Sequence, residues 1–148
     1  MATSLPPLGC TNFKLRQLTR RVSQHYDHHL ALAGLKTTQY SLLSHIAKLG
    51  PLTPGELARR MTLDASTLTR NLQPLVAAGW VVVGEGVNAR SRLLTLTESG
   101  RELRQTAQRH WKNAQLELNG LLGPAMVAEL HGLLDQALAA FEPETSDE

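Results

Sequence analysis

The chain has 148 residues, 42 % hydrophobic but only 4 % aromatic, with a formal net charge of +2. That length suits one domain with a real core, and no apolar run approaches the ~18 residues that suggest a membrane span. The single cysteine excludes an intrachain disulfide, as suits a reducing compartment. Residues 1–9 lack the charged start and long apolar core of an export signal, so a cytoplasmic protein is expected.

Charge is unevenly placed. The segment 142–148 holds four acids and no base, which leaves 15 basic residues against 9 acidic ones elsewhere. The remainder is therefore modestly suited to a polyanion.

Residues 1–11, with Pro6, Pro7 and Gly9, read as a flexible arm. Asn12 is a candidate cap for a long helix reaching about Ala33. Its apolar positions Leu15, Leu18, Val22, Tyr26 and Leu30 recur every three or four residues, and Gly34 closes it. Lys14, Arg16, Arg20, Arg21, Gln24 and Asp27 fall on the other face. Within this helix His25 and His29 stand one turn apart and could share an ion. A structural site wants four ligands, and Cys10 is far upstream, so no metal and no cofactor is assigned. The histidines are read as helix–helix or subunit contacts.

Thr37-Thr38 opens a second helix with Tyr40, Leu42, Leu43, Ile46, Ala47 and Leu49 inward, ended by Gly50-Pro51. Thr53-Pro54 followed by Glu56 has the spacing of a capping box. Leu57, Ala58 and Met61 then face inward, with Arg59 and Arg60 outward. Asp64 is a candidate N-cap for a further helix from Ala65 to about Ala78, with Leu68, Leu72, Leu75 and Val76 as its apolar positions. Its opposite face carries Ser66, Thr67, Thr69, Arg70 and Gln73, residue types that can approach base edges and phosphates in a major groove. Pro74 lies in its interior, where proline costs about 3 kcal/mol and predicts a kink near residue 70. Gly79 ends it.

Two runs of strand formers follow, Trp80–Val83 and Leu93–Thr97. The loop between them has two glycines and carries Asn88, Arg90 and Arg92. Arginines at such a tip suit a narrow minor groove. Two short helices followed by this hairpin are the order of a winged helix-turn-helix.

After Gly100 the helical period returns at Leu103, Ala107, Trp111, Ala114 and Leu118. A break is expected over Gly120–Pro124, then a last helix with Met126, Leu130, Leu133, Leu134, Ala137, Leu138 and Phe141. A small winged domain cannot cover this much apolar surface. A twofold homodimer would cover it and would set two reading helices about 34–36 Å apart, the pitch of a palindromic site on double-stranded DNA. Residues 142–148 read as an acidic disordered tail.

The segments GELARRM, STLTRNL, AAGWV and NARSRLLTLTESGREL resemble those of the MarR (multiple antibiotic resistance regulator) family, and the likeness runs from about Phe13 to Phe141. The fold class it implies is mainly α with a small β-wing, a single domain over 1–148. It implies a winged module over 37–97 and dimerisation helices over 12–36 and 98–141. The family wing carries an acid, a spacer and an arginine. Here Asn88-Ala89-Arg90 keeps the arginine and replaces the acid that braces the wing. The resemblance assigns minor-groove contact to Arg90, and Arg92 in the same loop is expected to join it.

The resemblance also implies a sequence-specific regulator, expected to be a repressor released by a small aromatic or phenolic carboxylate. Such a ligand needs an apolar slot and a cation. Arg16, Arg20, His28, Gln39, Tyr40, His45 and Trp111 are the candidates, with Arg16 first for the carboxylate. The places of the peroxide-sensing branch fall at Asn12 and Thr37, so its cysteine and tyrosine are missing. Cys10 sits in the arm with nothing to lower its pKa. A thiol- or metal-sensing regulator of the same fold, or a protein-interaction module without an operator, are the alternatives. No nucleophile–base pair or phosphate loop points to an enzyme.

Overall fold

The computed structural model describes residues 6, 8–88 and 91–143. In chain order it holds α1 (Thr11–Leu30), a short 3-10 turn (Ala31–Ala33), α2 (Thr37–Leu49), α3 (Pro54–Met61), α4 (Ala65–Ala77), β1 (Val81–Val83), β2 (Leu94–Leu96), α5 (Glu98–Leu122) and α6 (Pro124–Ala140). The mainly α fold with a small β-wing is as expected.

Local chemistry sets most boundaries. The Thr53 hydroxyl accepts from the Glu56 amide at 3.2 Å, and the Glu56 carboxylate accepts from the Thr53 amide at 3.2 Å. This reciprocal pair starts α3. Asp64 starts α4 by accepting from the Thr67 amide at 2.7 Å. At the other end of α4, Gly79 adopts a φ of 78°. Its amide donates to Val76 O, and that of Trp80 donates to Leu75 O, each at 3.0 Å. That is a Schellman ending, and the left-handed residue in it is ordinarily glycine.

The turn between α3 and α4 repeats the pattern with a poorer residue. Thr62 takes a φ of 55°, while the Leu63 amide reaches Ala58 O at 2.9 Å. A β-branched side chain in the left-handed region is strained.

Two boundaries and one burial differ from the sequence reading. Helix α1 starts two residues earlier than expected, because Cys10 rather than Asn12 caps it, its sulfur accepting from the Phe13 amide at 3.5 Å. Helix α5 runs through Gly120 to Leu122 and breaks only at Gly123, whose φ is 87°. A lone glycine costs about 1 kcal/mol in a helix, too little to stop a helix of 25 residues. Val76 is exposed rather than inward. Pro74 is accommodated within α4. It offers no N–H to the Arg70 carbonyl, which lies on an exposed stretch where water can serve it.

The wing is an antiparallel pair with Val81 opposite Leu96 and Val83 opposite Leu94. Leu52 adds an isolated bridge to Leu94, so the segment before α3 serves as a short third strand. The core gathers Leu30 and Leu35 with Leu42, Leu43 and Ile46 of α2. It continues through Leu57 of α3, Leu68 and Leu75 of α4, the inward residues of the wing and Ala107 of α5. By contrast α6 has no buried residue. Leu133 and Leu138 on it are 63 % and 58 % exposed. Among the described helices none is long and apolar enough to cross a membrane.

Candidate nucleic-acid interface and effector cleft

Helix α4 turns Leu68, Leu72 and Leu75 into the core, and that fixes what its other face presents. Ser66, Thr69, Arg70 and Gln73 are exposed and Thr67 is half-buried. The Ser66 hydroxyl donates to Asp64 at 2.9 Å, and the Thr69 hydroxyl donates to Ala65 O at 2.9 Å. Each hydroxyl has thereby spent its hydrogen and keeps its lone pairs, so each is set to accept. In a major groove such acceptors match the amino groups of adenine and cytosine, whereas Arg70 supplies donors. The hydrogen bonds from Thr67 and Ser66 hold the Asp64 carboxyl below the ordinary aspartate range. It stays an anion, compensated by the amides at the helix start.

The wing carries the second group of candidates. Arg90 lies outside the described residues. Asn88 and Arg92 are exposed. Asn88 holds the loop closed: its Oδ1 accepts from the Ser91 amide at 3.1 Å, and the Ser91 hydroxyl donates to Asn88 O at 3.1 Å. Ser91 thus joins Asn88 in bracing the wing, a partnership the sequence reading missed. A short polar residue three positions after an asparagine is the signal that could have found it.

Wing, α4 and α5 meet at one junction. The Thr97 hydroxyl donates to Gly79 O at 2.6 Å and accepts from the Gly100 amide at 3.1 Å. The Ser99 hydroxyl also reaches Gly79 O at 3.2 Å, and Arg101 donates to Leu96 O at 3.0 Å. Gly100 is packed against the Trp80 carbonyl so closely that a Cβ there would overlap it.

A cleft of about 490 Å³ opens between α1, α2 and α5. Tyr26, Tyr40, Ser44, His45, Arg104 and Trp111 carry its chemistry. Tyr40 and Trp111 stack at 6.3 Å between ring centres, 24° from parallel. His45 donates through Nδ1 to Ser41 O at 2.7 Å, which leaves Nε2 with the lone pair when the ring is neutral. Tyr26 donates to Gln115 Oε1. Burial pushes its phenol above the ordinary value, so it keeps its proton. Arg104 Nε and Ser44 Oγ are buried with no hydrogen-bond partner among the described residues.

Of the residues predicted for an effector, the structure brings Tyr40, His45 and Trp111 to this cleft. It does not bring Arg16, Arg20, His28 or Gln39 to the lining. The two arginines are exposed, near the start of α1, whereas the wall begins at Val22. His28 is exposed too. Gln39 is used locally, its Oε1 accepting from the Lys36 amide at 2.9 Å. Arg104 is the cation that the sequence reading missed. It lies beside Leu103 in the helical pattern of α5, where nothing local marks it.

These features have counterparts. Residues 33–91 match the MarR family model. The multiple antibiotic resistance protein MarR of Salmonella typhimurium is 31 % identical over 134 residues, covering 89 % of this chain and 91 % of that protein. An uncharacterised HTH-type regulator of Bacillus subtilis, YwoH, is 29 % identical over 57 % of this chain, and the match spans 62 % of that protein. The transcriptional regulator MosR of M. tuberculosis, in a complex with DNA, superposes with a TM-score of 0.75 at 33 % identity, covering 90 % of this chain and all of that one. A cysteine variant of MarR from E. coli complexed with operator DNA gives 0.75 at 25 % identity, covering 86 % and 92 %. The chain belongs to the MarR family of winged helix-turn-helix transcriptional regulators and is not an enzyme.

Proposed function

We propose that this regulator is a homodimeric repressor of a palindromic operator, released by a small aromatic carboxylate held in the cleft between α1, α2 and α5. One observation carries the effector reading: the buried Arg104 Nε and Ser44 Oγ are left without partners at the same stacked-aromatic slot. Such orphaned donors are rare in native proteins. A carboxylate would satisfy both, and its ring would lie against Tyr40 and Trp111. Arg104 therefore replaces Arg16 as the proposed carboxylate anchor.

The DNA reading rests on the exposed face of α4 and on relatives crystallised with DNA. Ser66, Thr67, Thr69, Arg70 and Gln73 would face the major groove, with Arg90 and Arg92 in the flanking minor groove and Asn88 bracing the tip. The dimer reading rests on the uncovered apolar residues of α1, α5 and α6, from Leu15 and Leu18 to Leu133 and Phe141. Release would follow if the acid binds one dimer shape more tightly than the other. A coupling of about 1–3 kcal/mol, roughly 5–150-fold, suffices for a switch.

The test is a gel-shift assay on the palindrome beside the protein's own gene, with and without 2-hydroxybenzoate. Wild-type protein is expected to bind and to be released. Arg104→Gln is expected to bind DNA normally and to need at least tenfold more acid for release. Normal release of that variant would remove Arg104 from the mechanism. Absence of any operator shift would leave the protein-interaction alternative.

A further inference from the structure

We propose that His25, His29 and Glu117 form a divalent transition-metal site that clamps α1 to α5. One ligand atom from each lies within 4.8 Å of the others, a juxtaposition assembled from two helices about 90 residues apart in sequence. His29 Nε2 and Glu117 Oε2 are already 2.8 Å apart. Both histidines are half-buried, whereas Glu117 is exposed and free to swing. Ligand atoms around a tetrahedral ion at about 2.0–2.1 Å stand roughly 3.3–3.5 Å from one another. The present spacing, within 4.8 Å, is wider than this, so side-chain rotation has to draw the ligands together.

The histidines are prepared for it. His25 Nε2 lies 2.8 Å from the Ala114 carbonyl. A carbonyl only accepts, so Nε2 carries the hydrogen and Nδ1 keeps the lone pair of the neutral ring. Imidazoles that bind metal are oriented in this way, one nitrogen donating to a carbonyl and the other available. Glu117 shares a hydrogen with His29 Nε2; a dication would take that hydrogen's place, the neutral ring carrying its hydrogen on Nδ1 instead. The remaining acid of the histidine run, Asp27, is engaged elsewhere, accepting from the Thr37 amide at 2.7 Å. Two imidazoles and one carboxylate, with a coordination position left for water, suit an ion of borderline softness such as Zn²⁺.

The partners advance together along both helices: His25 with Ala114, Tyr26 with Gln115, His29 with Glu117. An ion here would fix the register of α1 on α5 directly beside Tyr26, a wall of the effector cleft. It would bias the same helix packing from a separate point.

The test is calorimetric titration of the full-length, chelator-treated protein with Zn²⁺, repeated in buffers of different ionisation enthalpy. One ion per chain is expected, together with a raised Tm. His29→Gln and Glu117→Gln should each weaken binding roughly tenfold or more, since loss of even an outer partner costs 10–100-fold. His28→Gln, one residue away, should bind as wild type. Glu117 is exposed, so its variant keeps the fold, checked by circular dichroism. No binding by the wild type, or affinity unchanged in Glu117→Gln, would overturn the site. Equal loss in His28→Gln would overturn it as well, placing the ion on surface histidines.

Discussion

The winged module and helix α6 are built from similar residues and are used in opposite ways. In the module, leucines at helical spacing are sealed: Leu43, Leu57 and Leu75 are fully buried. On α6 the spacing is as regular, yet no residue is buried. The difference lies in what faces each element. Helices α2, α3 and α4 and the wing close on one another, whereas α6 rests chiefly on α5 and leaves its outer face open. Apolar periodicity therefore marks a face that will be covered, without saying whether the cover comes from the same chain.

That contrast can be tested by substitution. The largest effect is expected for Leu43→Ala, which removes a fully buried side chain from the module. It should cost about 2–5 kcal/mol of unfolding free energy, measured by urea denaturation. A loss below 1 kcal/mol would mean that the module's core is not where stability resides. Next comes Leu133→Glu on α6. If a second copy covers this face, sedimentation should show dissociation, and operator affinity should fall at least tenfold. In a functional monomer the same exposed change should alter neither.

A smaller effect, of opposite sign, is expected at the strained turn. Thr62→Asn keeps the left-handed residue and relieves the β-branch. It should stabilise by roughly 0.5–1 kcal/mol, raising Tm by a few degrees. An unchanged or lower Tm would show that the Thr62 side chain offsets its backbone cost. The smallest effect concerns Asp64. Its carboxyl is held below the ordinary aspartate range, so its stabilisation is complete above the unfolded-chain value. It fades as pH falls through the lower folded value. The Tm gap between wild type and Asp64→Asn should therefore stay constant from neutral pH to about pH 5 and shift only in stronger acid. A gap that moves near neutrality would contradict the cap.

Legibility in the sequence follows range. The Thr53–Glu56 box, the Asp64 cap and the Gly79 ending are contacts within a few residues, and all were readable from the chain. The wing was readable in outline, because alternation and glycines mark it. The cleft between α1, α2 and α5 was readable only by half. Tyr40, His45 and Trp111 were identified through the resemblance, but the cation was sought on α1, where Arg16 and Arg20 have the right spacing. Which arginine enters a cleft depends on how three distant helices cross, and that selects Arg104. The histidine run shows the same limit. Its spacing marks His25 and His29 as neighbours, whereas only the pairing of α1 with α5 brings Glu117 beside His29.

The junction at Thr97 has a mechanical consequence. Two hydroxyls and a missing side chain bind the first turn of α5 to the tail of α4, with no slack between them. A tilt of the long helix would be passed to α4 through these short contacts rather than absorbed in a linker.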